Sequence, residues 1–210
     1  MFNGIIEEIG TIIKIEPKKN LSVLSVQARK VLKGAKQGSS IAINGACLTI
    51  TDIKGNVLFF DMIRETILKT TLGSMKKGGY VNLEPALKAN SRIDGHFVTG
   101  HVDDVVTVKE RIDRKDYTEL RIALNKKIAR YIVPKGSVCL DGVSLTVGQV
   151  TKQYFAVHLI PFTKKATTLG CRSKGDRVNI ETDIIAKYIV NRKTSGTSLK
   201  KLKEEIASWN

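Results

Sequence analysis

An internal repeat constrains the fold of this chain more than any other feature of its sequence. Residues 39–84 align with residues 136–181 without a gap, at a constant offset of 97 positions. Fifteen of these 46 positions are identical, whereas chance matching at ordinary composition would give about three. An offset of 96 continues the alignment upstream, where Asn3 matches Thr99. A repeat of this length predicts two similar domains in tandem.

Each half of the repeat has the pattern of a small β-barrel. Apolar residues alternate with polar ones, β-branched side chains are frequent, and turn residues punctuate the chain at short intervals, which is typical of antiparallel strands. We expect about six strands in each half, enough for a closed or nearly closed barrel. The predicted class is therefore all-β, with one barrel in residues 1–90, a second in residues 97–187, and a linker and C-terminal α-helix in residues 188–210.

The C-terminal helix is predicted from a change of period. Beyond Ser195, the apolar residues Leu199, Leu202, Ile206 and Trp209 recur at helical spacing, which is typical of an amphipathic helix. An isolated helix of this length needs a partner surface. The two candidates are a neighbouring subunit and the chain's own barrel.

Composition narrows the class of protein. The net charge of +15 invites a nucleic-acid interpretation, but the basic residues are spread over many segments and are not interleaved with aromatic ones, so a lysine-rich surface is favoured. Three widely separated cysteines predict neither a disulfide framework nor a zinc site. No apolar run is long enough to cross a bilayer, and the N-terminus lacks the pattern of a signal peptide. We expect a cytoplasmic protein that binds no nucleic acid and no membrane.

The most similar short segments of the two halves are "INGACLTI", which starts at Ile43, and "LDGVSLTV", which starts at Leu140. Asn-Gly and Asp-Gly are strong tight-turn dipeptides, because glycine tolerates a positive φ. Both segments can therefore be read simply as hairpin turns. The alternative is a binding device, because small polar residues follow each turn at the same spacing.

Those small polar residues share a face. In an extended strand, residues two positions apart point the same way, so Cys47 aligns with Thr49 in the first half. Ser144 aligns with Thr146 in the second half. We expect both pairs at the mouth of a barrel, where a few hydroxyls and backbone groups can grip a flat heterocycle.

The segment "GHFVTGHVDD" places His96, His101 and Asp103 close together in sequence. A metal cluster is one interpretation, but residues five apart face opposite sides of a continuous strand. Acid–base or hydrogen-bonding use of His101 is favoured, since imidazole titrates near neutral pH. For His158 a structural and a functional role remain equally open.

The sequence resembles the riboflavin synthase family over residues 1–190. The resemblance rests on an ordered set of motifs: "MFNGIIEEIG", "INGACLTIT", "ETILKTTLG", "GYVNLEPALK", "GHFVTGHVDD", "PKGSVCLDGVSLTV", "LIPFTKKATTLG" and "GDRVNIETDIIAKY". It implies two six-stranded Greek-key barrels, each of which binds one molecule of 6,7-dimethyl-8-ribityllumazine.

The resemblance also implies an activity. The family's reaction, a transferase reaction, moves a four-carbon unit from one lumazine to another and yields riboflavin and 5-amino-6-ribitylaminouracil, without cofactor or metal. The family assembles as a homotrimer, with active sites between the N-terminal barrel of one subunit and the C-terminal barrel of its neighbour. Association with lumazine synthase, which forms the substrate, stays open.

The family's site positions carry over by motif. In the N-terminal pocket they are Phe2, Gly4, Ile5, Ile6, Ser40, Cys47, Leu48, Thr49, Asp61, Met62, Ile63, Arg64, Glu65 and Thr66. In the C-terminal pocket they are Gly100, His101, Val102, Ser144, Leu145, Thr146, His158, Leu159, Ile160, Pro161, Phe162 and Thr163. Three further positions match the family's site, namely Lys135, Asp141 and Asp183.

From the resemblance and from side-chain chemistry, we assign catalytic roles to some of these residues. His101 is assigned to proton transfer, and Cys47 with Ser40 to activating or delivering the nucleophile that adds to the acceptor ring. Ser144, Thr146 and Lys135 would orient and polarise the bound rings. Some relatives have lost catalysis and serve as lumazine- or flavin-carrying antenna proteins, typically with one pocket eroded. Both copies of the repeated device are intact here, which favours an enzyme.

Overall fold

The computed structural model describes residues 1–194, and within them two closed barrels of six antiparallel strands follow each other along the chain. The first barrel contains β1 (Glu8–Pro17), β2 (Leu21–Gln27), β3 (Ser40–Ile43), β4 (Ala46–Lys54), β5 (Val57–Ile63) and β6 (Tyr80–Pro85). The second contains β7 (Asp104–Asp113), β8 (Thr118–Ala123), β9 (Ser137–Leu140), β10 (Val143–Val150), β11 (Tyr154–Leu159) and β12 (Arg177–Thr182).

The two barrels have the same topology. Around the first barrel the strand order is β1-β2-β5-β4-β3-β6, and the second barrel repeats it strand for strand. Even an irregularity is repeated: the register shifts between Ile12 and Lys14 in β1, and at the equivalent place between Val108 and Glu110 in β7. The predicted pair of six-stranded barrels is thus confirmed.

Short helices fill equivalent connections of the two barrels. They are α1 (Arg64–Lys69) and α3 (Pro161–Ala166), each followed by a turn of 3-10 helix, Thr71–Ser74 and Thr168–Cys171. A further short helix is α2 (Lys126–Ala129). Strand patterning did not predict α1 and α3, because each is too short to show a helical period.

A C-terminal helix is present, but it occupies an earlier part of the chain than the predicted one. Helix α4 spans Ile184–Thr194, directly after β12, where the sequence suggested the end of a strand and a linker. The predicted helix around Leu199 and Trp209 lies outside the described residues.

Alternation of side chains produces one apolar core per barrel. In β4 the side chains of Leu48 and Ile50 point inward, and those of Cys47 and Thr49 point outward. A third, smaller cluster lies between the barrels and contains Phe2, Ala42, Val98 and Cys139. This third cluster joins the N-terminal segment, the inter-barrel connection and both barrels into one body.

Candidate functional site

The two repeated turns are hairpin turns that meet at the contact between the barrels. Asn44 and Asp141 have φ angles of 45° and 44°, and the glycines that follow them are also positive at 79° and 83°, as in type I′ hairpins. A Cβ atom added to Gly45 would lie 2.8 Å from the backbone nitrogen of Gly142. The hairpin tips therefore touch backbone to backbone and join the barrels.

Two buried asparagines complete this contact. Asn82 donates a hydrogen bond from Nδ2 to the carbonyl of Asp141 at 2.8 Å, and Asn179 donates one to the carbonyl of Asn44 at 2.8 Å. The carboxylate of Asp141 accepts from the backbone nitrogen of Asn179 and pairs with Arg172, both at 2.8 Å. Asp141, predicted to bind substrate, is fully buried. Its carboxylate lies at the inter-barrel contact, where these bonds give it a structural role.

The polar face of each repeated segment lies outside its barrel. Because Leu48 and Leu145 occupy the cores, their neighbours Cys47, Thr49 and Ser144 point away from them. The expectation that these side chains line a barrel mouth is wrong. Binding surfaces built on them lie between a barrel's outer wall and other parts of the chain.

Segments exchanged between the barrels cover these outer faces. We define the first lead segment as residues 3–6, which precede β1, and the second lead segment as residues 99–102, which precede β7. Gly100 accepts a hydrogen bond from the backbone nitrogen of Cys47 at 2.9 Å, and Gly4 accepts one from that of Ser144 at 2.8 Å. Each lead segment therefore lies on the barrel to which it does not belong.

Only glycine fits where the lead segments cross. A Cβ atom added to Gly100 would lie 2.5 Å from Cβ of Cys47, and one added to Gly4 would lie 2.6 Å from Cβ of Ser144. Both glycines also have positive φ angles, 83° and 76°, which other residues rarely adopt. On the first barrel, this close approach brings His101, the residue after Gly100, into the same pocket as Cys47.

The N-terminal pocket is a cavity of about 280 Å³ against the first barrel. It brings together seven residues selected from the sequence, and the second lead segment supplies three of them: Cys47, Ile63, Glu65 and Thr66 come from the first barrel, and Gly100, His101 and Val102 from the lead segment. Gly100, His101 and Val102 were expected in the C-terminal pocket, whereas here they line the cavity beside Cys47. The complete lining is Ala46, Cys47, Ile63, Glu65, Thr66, Lys69, Thr70, Gly100, His101 and Val102.

The equivalent face of the second barrel, which we call the C-terminal site, holds a histidine that sequence reasoning did not assign to it. Nδ1 of His96 lies 2.7 Å from Oγ of Ser144. Burial lowers the pKa of His96, and Asp183 acts in the opposite direction. His96 and Ser144 thus form a hydrogen-bonded pair, and the predicted residue Asp183 is near enough to act on the imidazole.

Lys135 stands in an unusual backbone conformation. Its φ angle is 67°, whereas the equivalent position of the first barrel is Gly38, with φ of 87°. A left-handed conformation costs a non-glycine residue about 1–2 kcal/mol. The side chain of Lys135 is exposed, and its predicted role at the substrate stays a prediction.

Several predicted binding residues have buried side chains: Met62 and Leu159 lie in the barrel cores, and Phe2 lies in the cluster between the barrels. Phe2, Met62 and Leu159 are fully buried, so only their backbone groups can face a ligand. The remaining predicted residues on β5, α1, β11 and α3 are mostly at the surface: Asp61, Ile63, Arg64, Glu65, His158, Ile160, Pro161 and Phe162 are exposed.

A larger cavity of about 700 Å³ lies beside the N-terminal pocket's barrel, under the connection that leaves β6. Its lining includes Ser40, Ile5 and Glu84. Ser40 and Cys47, which were assigned a joint catalytic role, therefore line two different cavities.

Glu84 makes the free energy of unfolding depend on pH. Burial raises its pKa to about 7 from 4.5, although backbone N–H groups of Asn3 and Gly4 donate to it. The folded protein binds this proton more tightly than the unfolded chain, so the free energy of unfolding falls as pH rises from 4.5 to 7. The fall is up to about 3 kcal/mol.

In Glu84→Gln we expect this pH-dependent part of the free energy of unfolding to disappear, as measured by urea titrations at several pH values. Glu16→Gln, on an exposed strand position, should keep the wild-type slope, and an unchanged slope in Glu84→Gln would contradict the assignment.

Sequence reasoning missed Glu84, Glu181, Asn82 and Asn179. The available signal was their identity between the repeats, in "VNLE" and "VNIE". Polar residues retained at equivalent positions of two buried strands indicate buried hydrogen bonds.

Within residues 1–194, no group of three His, Cys, Asp or Glu side chains is arranged to hold a metal ion. None of the helices in that range combines the length and apolarity that a membrane span requires.

Known proteins resemble the chain in sequence and in structure. The lumazine binding domain family matches it twice, over residues 3–86 and 99–183. The riboflavin synthase of Actinobacillus pleuropneumoniae is 43% identical over 189 residues, which cover 90% of this chain and 88% of that protein. The riboflavin synthase of Escherichia coli (strain K12) is 38% identical over 193 residues, 91% of each chain. The crystal structure of LumP complexed with riboflavin superposes with a TM-score of 0.81 and 27% identity, over 87% of this chain and 99% of LumP.

Proposed function

The chain belongs to the riboflavin synthase family, and we propose that it converts two molecules of 6,7-dimethyl-8-ribityllumazine into riboflavin and 5-amino-6-ribitylaminouracil. The observation that carries this proposal is the pair of equivalent sites, one on each barrel, each completed by the other barrel's lead segment. A reaction between two copies of one molecule requires two sites of similar shape. The four-carbon transfer balances without an oxidant, a reductant or another substrate, which makes the enzyme a transferase.

The residues of the N-terminal pocket supply proton transfer and a nucleophile. His101 takes a proton from the C7 methyl group of one lumazine, whose anion is delocalised into the ring. Cys47, beside it in the same pocket, activates or delivers the nucleophile that adds to the acceptor ring, and Ser40 contributes from the adjoining cavity. The enzyme's main contribution is to hold the two rings in contact.

The C-terminal site orients the second ring. Ser144 is polarised by His96 at 2.7 Å, and Thr146 and Lys135 supply further donors at the same barrel face. Asp183 acts through its field on His96. These roles follow from side-chain chemistry and from the matched family positions.

We further propose that the chain works as a homotrimer in the cytoplasm. Apolar side chains protrude from α3 and α4: Phe162 is 76% exposed, Tyr188 74% and Ile189 55%. Exposed apolar groups of this size favour burial between subunits. In a trimer, the N-terminal pocket of one subunit would face the C-terminal site of the next. Association with lumazine synthase would be a separate contact.

The proposal is tested by mixing the purified chain with the lumazine and recording flavin absorbance. We expect flavin to form, two ligand molecules to bind per chain in calorimetry with a non-reacting analogue, and specific activity to fall when dilution dissociates the assembly. The likeness to LumP makes a lumazine- or flavin-carrying antenna protein the second candidate. Binding of the lumazine without flavin formation would favour that candidate and contradict the enzyme.

A further inference from the structure

We propose that Glu181 and Glu84 are positioning residues, each of which holds a lead segment against the site of the opposite barrel. The inference rests on the proposed function, since it assigns these glutamates to the assembly of the two lumazine sites. It differs from an ordinary structural role in one respect: a change in one barrel should disturb the site on the other.

Glu181 holds the second lead segment from the outer face of β12, because its neighbour Ile180 points into the core of the second barrel. Its Oε1 atom accepts hydrogen bonds from the backbone nitrogen of Thr99 at 2.6 Å and from Oγ1 of Thr99 at 2.7 Å. Its Oε2 atom accepts from the backbone nitrogen of Gly100 at 2.9 Å. The residue is 3% exposed, so water cannot replace these bonds, and both carboxylate oxygens are committed to the segment.

The other side of the same segment forms part of the N-terminal pocket. The carbonyl of Gly100 accepts from the backbone nitrogen of Cys47 on β4, and His101 follows directly in the pocket lining. Gly100 thus lies between Glu181 of the second barrel and Cys47 of the first. The position of the His101 imidazole relative to the Cys47 thiol depends on both contacts.

Glu84 makes the equivalent contacts in the first barrel. It accepts from the backbone nitrogens of Asn3 at 2.8 Å and Gly4 at 3.1 Å, and the carbonyl of Gly4 accepts from the backbone nitrogen of Ser144 on β10. Gly4 therefore lies between Glu84 of the first barrel and Ser144 of the second. The Ser144–His96 pair depends on a carboxylate of the first barrel.

A glutamine at either position keeps the shape but removes one acceptor. One carboxylate oxygen becomes an NH2 group, which cannot accept from a backbone nitrogen that faces it. The loss is smaller at Glu84, because its Oε1 atom also lies 3.2 Å from the backbone nitrogen of Gly4. An unsatisfied buried donor favours local opening of the lead segment. The loosening should appear where the lead segment contacts the opposite barrel.

The experiment uses two probes, one for each site, in the full-length chain with Cys171→Ser. This background removes an exposed thiol, and Cys139 is buried, so Cys47 is the main thiol accessible to iodoacetamide. For the C-terminal site, the probe is the NMR titration of the Cε1–H resonance of His96. Neither probe requires turnover.

We expect a crossed result, in which each substitution affects the site on the opposite barrel and leaves the other site unchanged. Glu181→Gln should change the alkylation rate of Cys47 by at least about fivefold and leave the His96 titration unchanged, while Glu84→Gln should shift the His96 titration and leave Cys47 unchanged. Glu16→Gln is the matched control and should affect neither probe. Thr99→Val removes one of the three bonds to Glu181 and the long bond from the backbone nitrogen of His101 to Oγ1, and it should change the alkylation of Cys47 in the same direction.

Two patterns would overturn the inference. If each substitution affects the probe on its own barrel, the glutamates merely stabilise their barrels. If both probes respond equally to both substitutions, the effect is a general loosening. Failure of the proposed function is separate: a chain that makes no flavin but shows the crossed result keeps the positioning role and loses the enzyme assignment.

Discussion

Replacing His101 by alanine is expected to lower the rate of riboflavin formation by at least about tenfold, because general acid–base catalysis by a positioned side chain typically contributes this much or more. His101 is exposed within the N-terminal pocket and lies with Cys47 in its lining. Its backbone is held by the contact of Gly100 with Cys47, so truncation of the imidazole should leave the pocket's shape intact. Lumazine binding, measured by fluorescence titration, should change little, and the loss should appear in kcat.

The cysteines give this prediction a matched control. Cys47→Ala should also lower turnover by at least about tenfold, whereas Cys171→Ala, at an exposed cysteine outside the pocket, should retain the wild-type rate. Wild-type turnover in both His101→Ala and Cys47→Ala would refute the assignment of chemistry to the N-terminal pocket. A parallel fall in binding would instead indicate that these side chains mainly hold substrate.

The second large effect concerns stability at the contact between the barrels. Gly142→Ala should lower the free energy of unfolding by about 3 kcal/mol or more, as the sum of backbone strain and overpacking. Gly142 has a φ angle of 83°, and a Cβ atom there would lie 2.9 Å from the backbone nitrogen of Gly45. Backbone atoms cannot move aside without separating the hairpin tips. Urea denaturation of the purified protein measures the loss.

A substitution at Gly78 serves as a control, because it separates the cost of backbone strain from the cost of steric overlap. Its φ angle of 84° is almost the same, but a Cβ atom there would meet nothing within 4 Å. Gly78→Ala should therefore cost only the conformational part, about 1–2 kcal/mol. If the two variants lose the same stability, the hairpin tips separate without cost and their contact does not hold the barrels together.

Much of the fold could be predicted because its determinants are local. Alternation in segments such as "ACLTITDIK" predicts which side chains enter the core, and Asn44-Gly45 predicts a two-residue hairpin turn. The gapless repeat then requires that both halves adopt the same topology. These features depend on residues close together in the chain, so the sequence displays them directly.

The candidate site was predictable in its residue types but not in its grouping. Cys47 and His101 were selected, yet they were assigned to different pockets, and His96 was not placed beside Ser144. Asp141 matched a family site position, but the structure buries it at the inter-barrel contact. Sequence patterns describe which face a side chain takes on its own strand, and they do not describe what lies against that face.

The sequence by itself determined two six-stranded barrels, their turns and the polar face that each repeated segment presents. Only the tertiary structure decided that the lead segments are exchanged, so that Gly100 reaches Cys47 and Gly4 reaches Ser144. The physical reason lies in the repeat. Two barrels of the same construction offer two nearly equivalent strand edges to each lead segment, and local sequence cannot distinguish them. The choice is made by packing of the barrels through Gly45, Gly142 and the buried asparagines, which brings the opposite edge within reach.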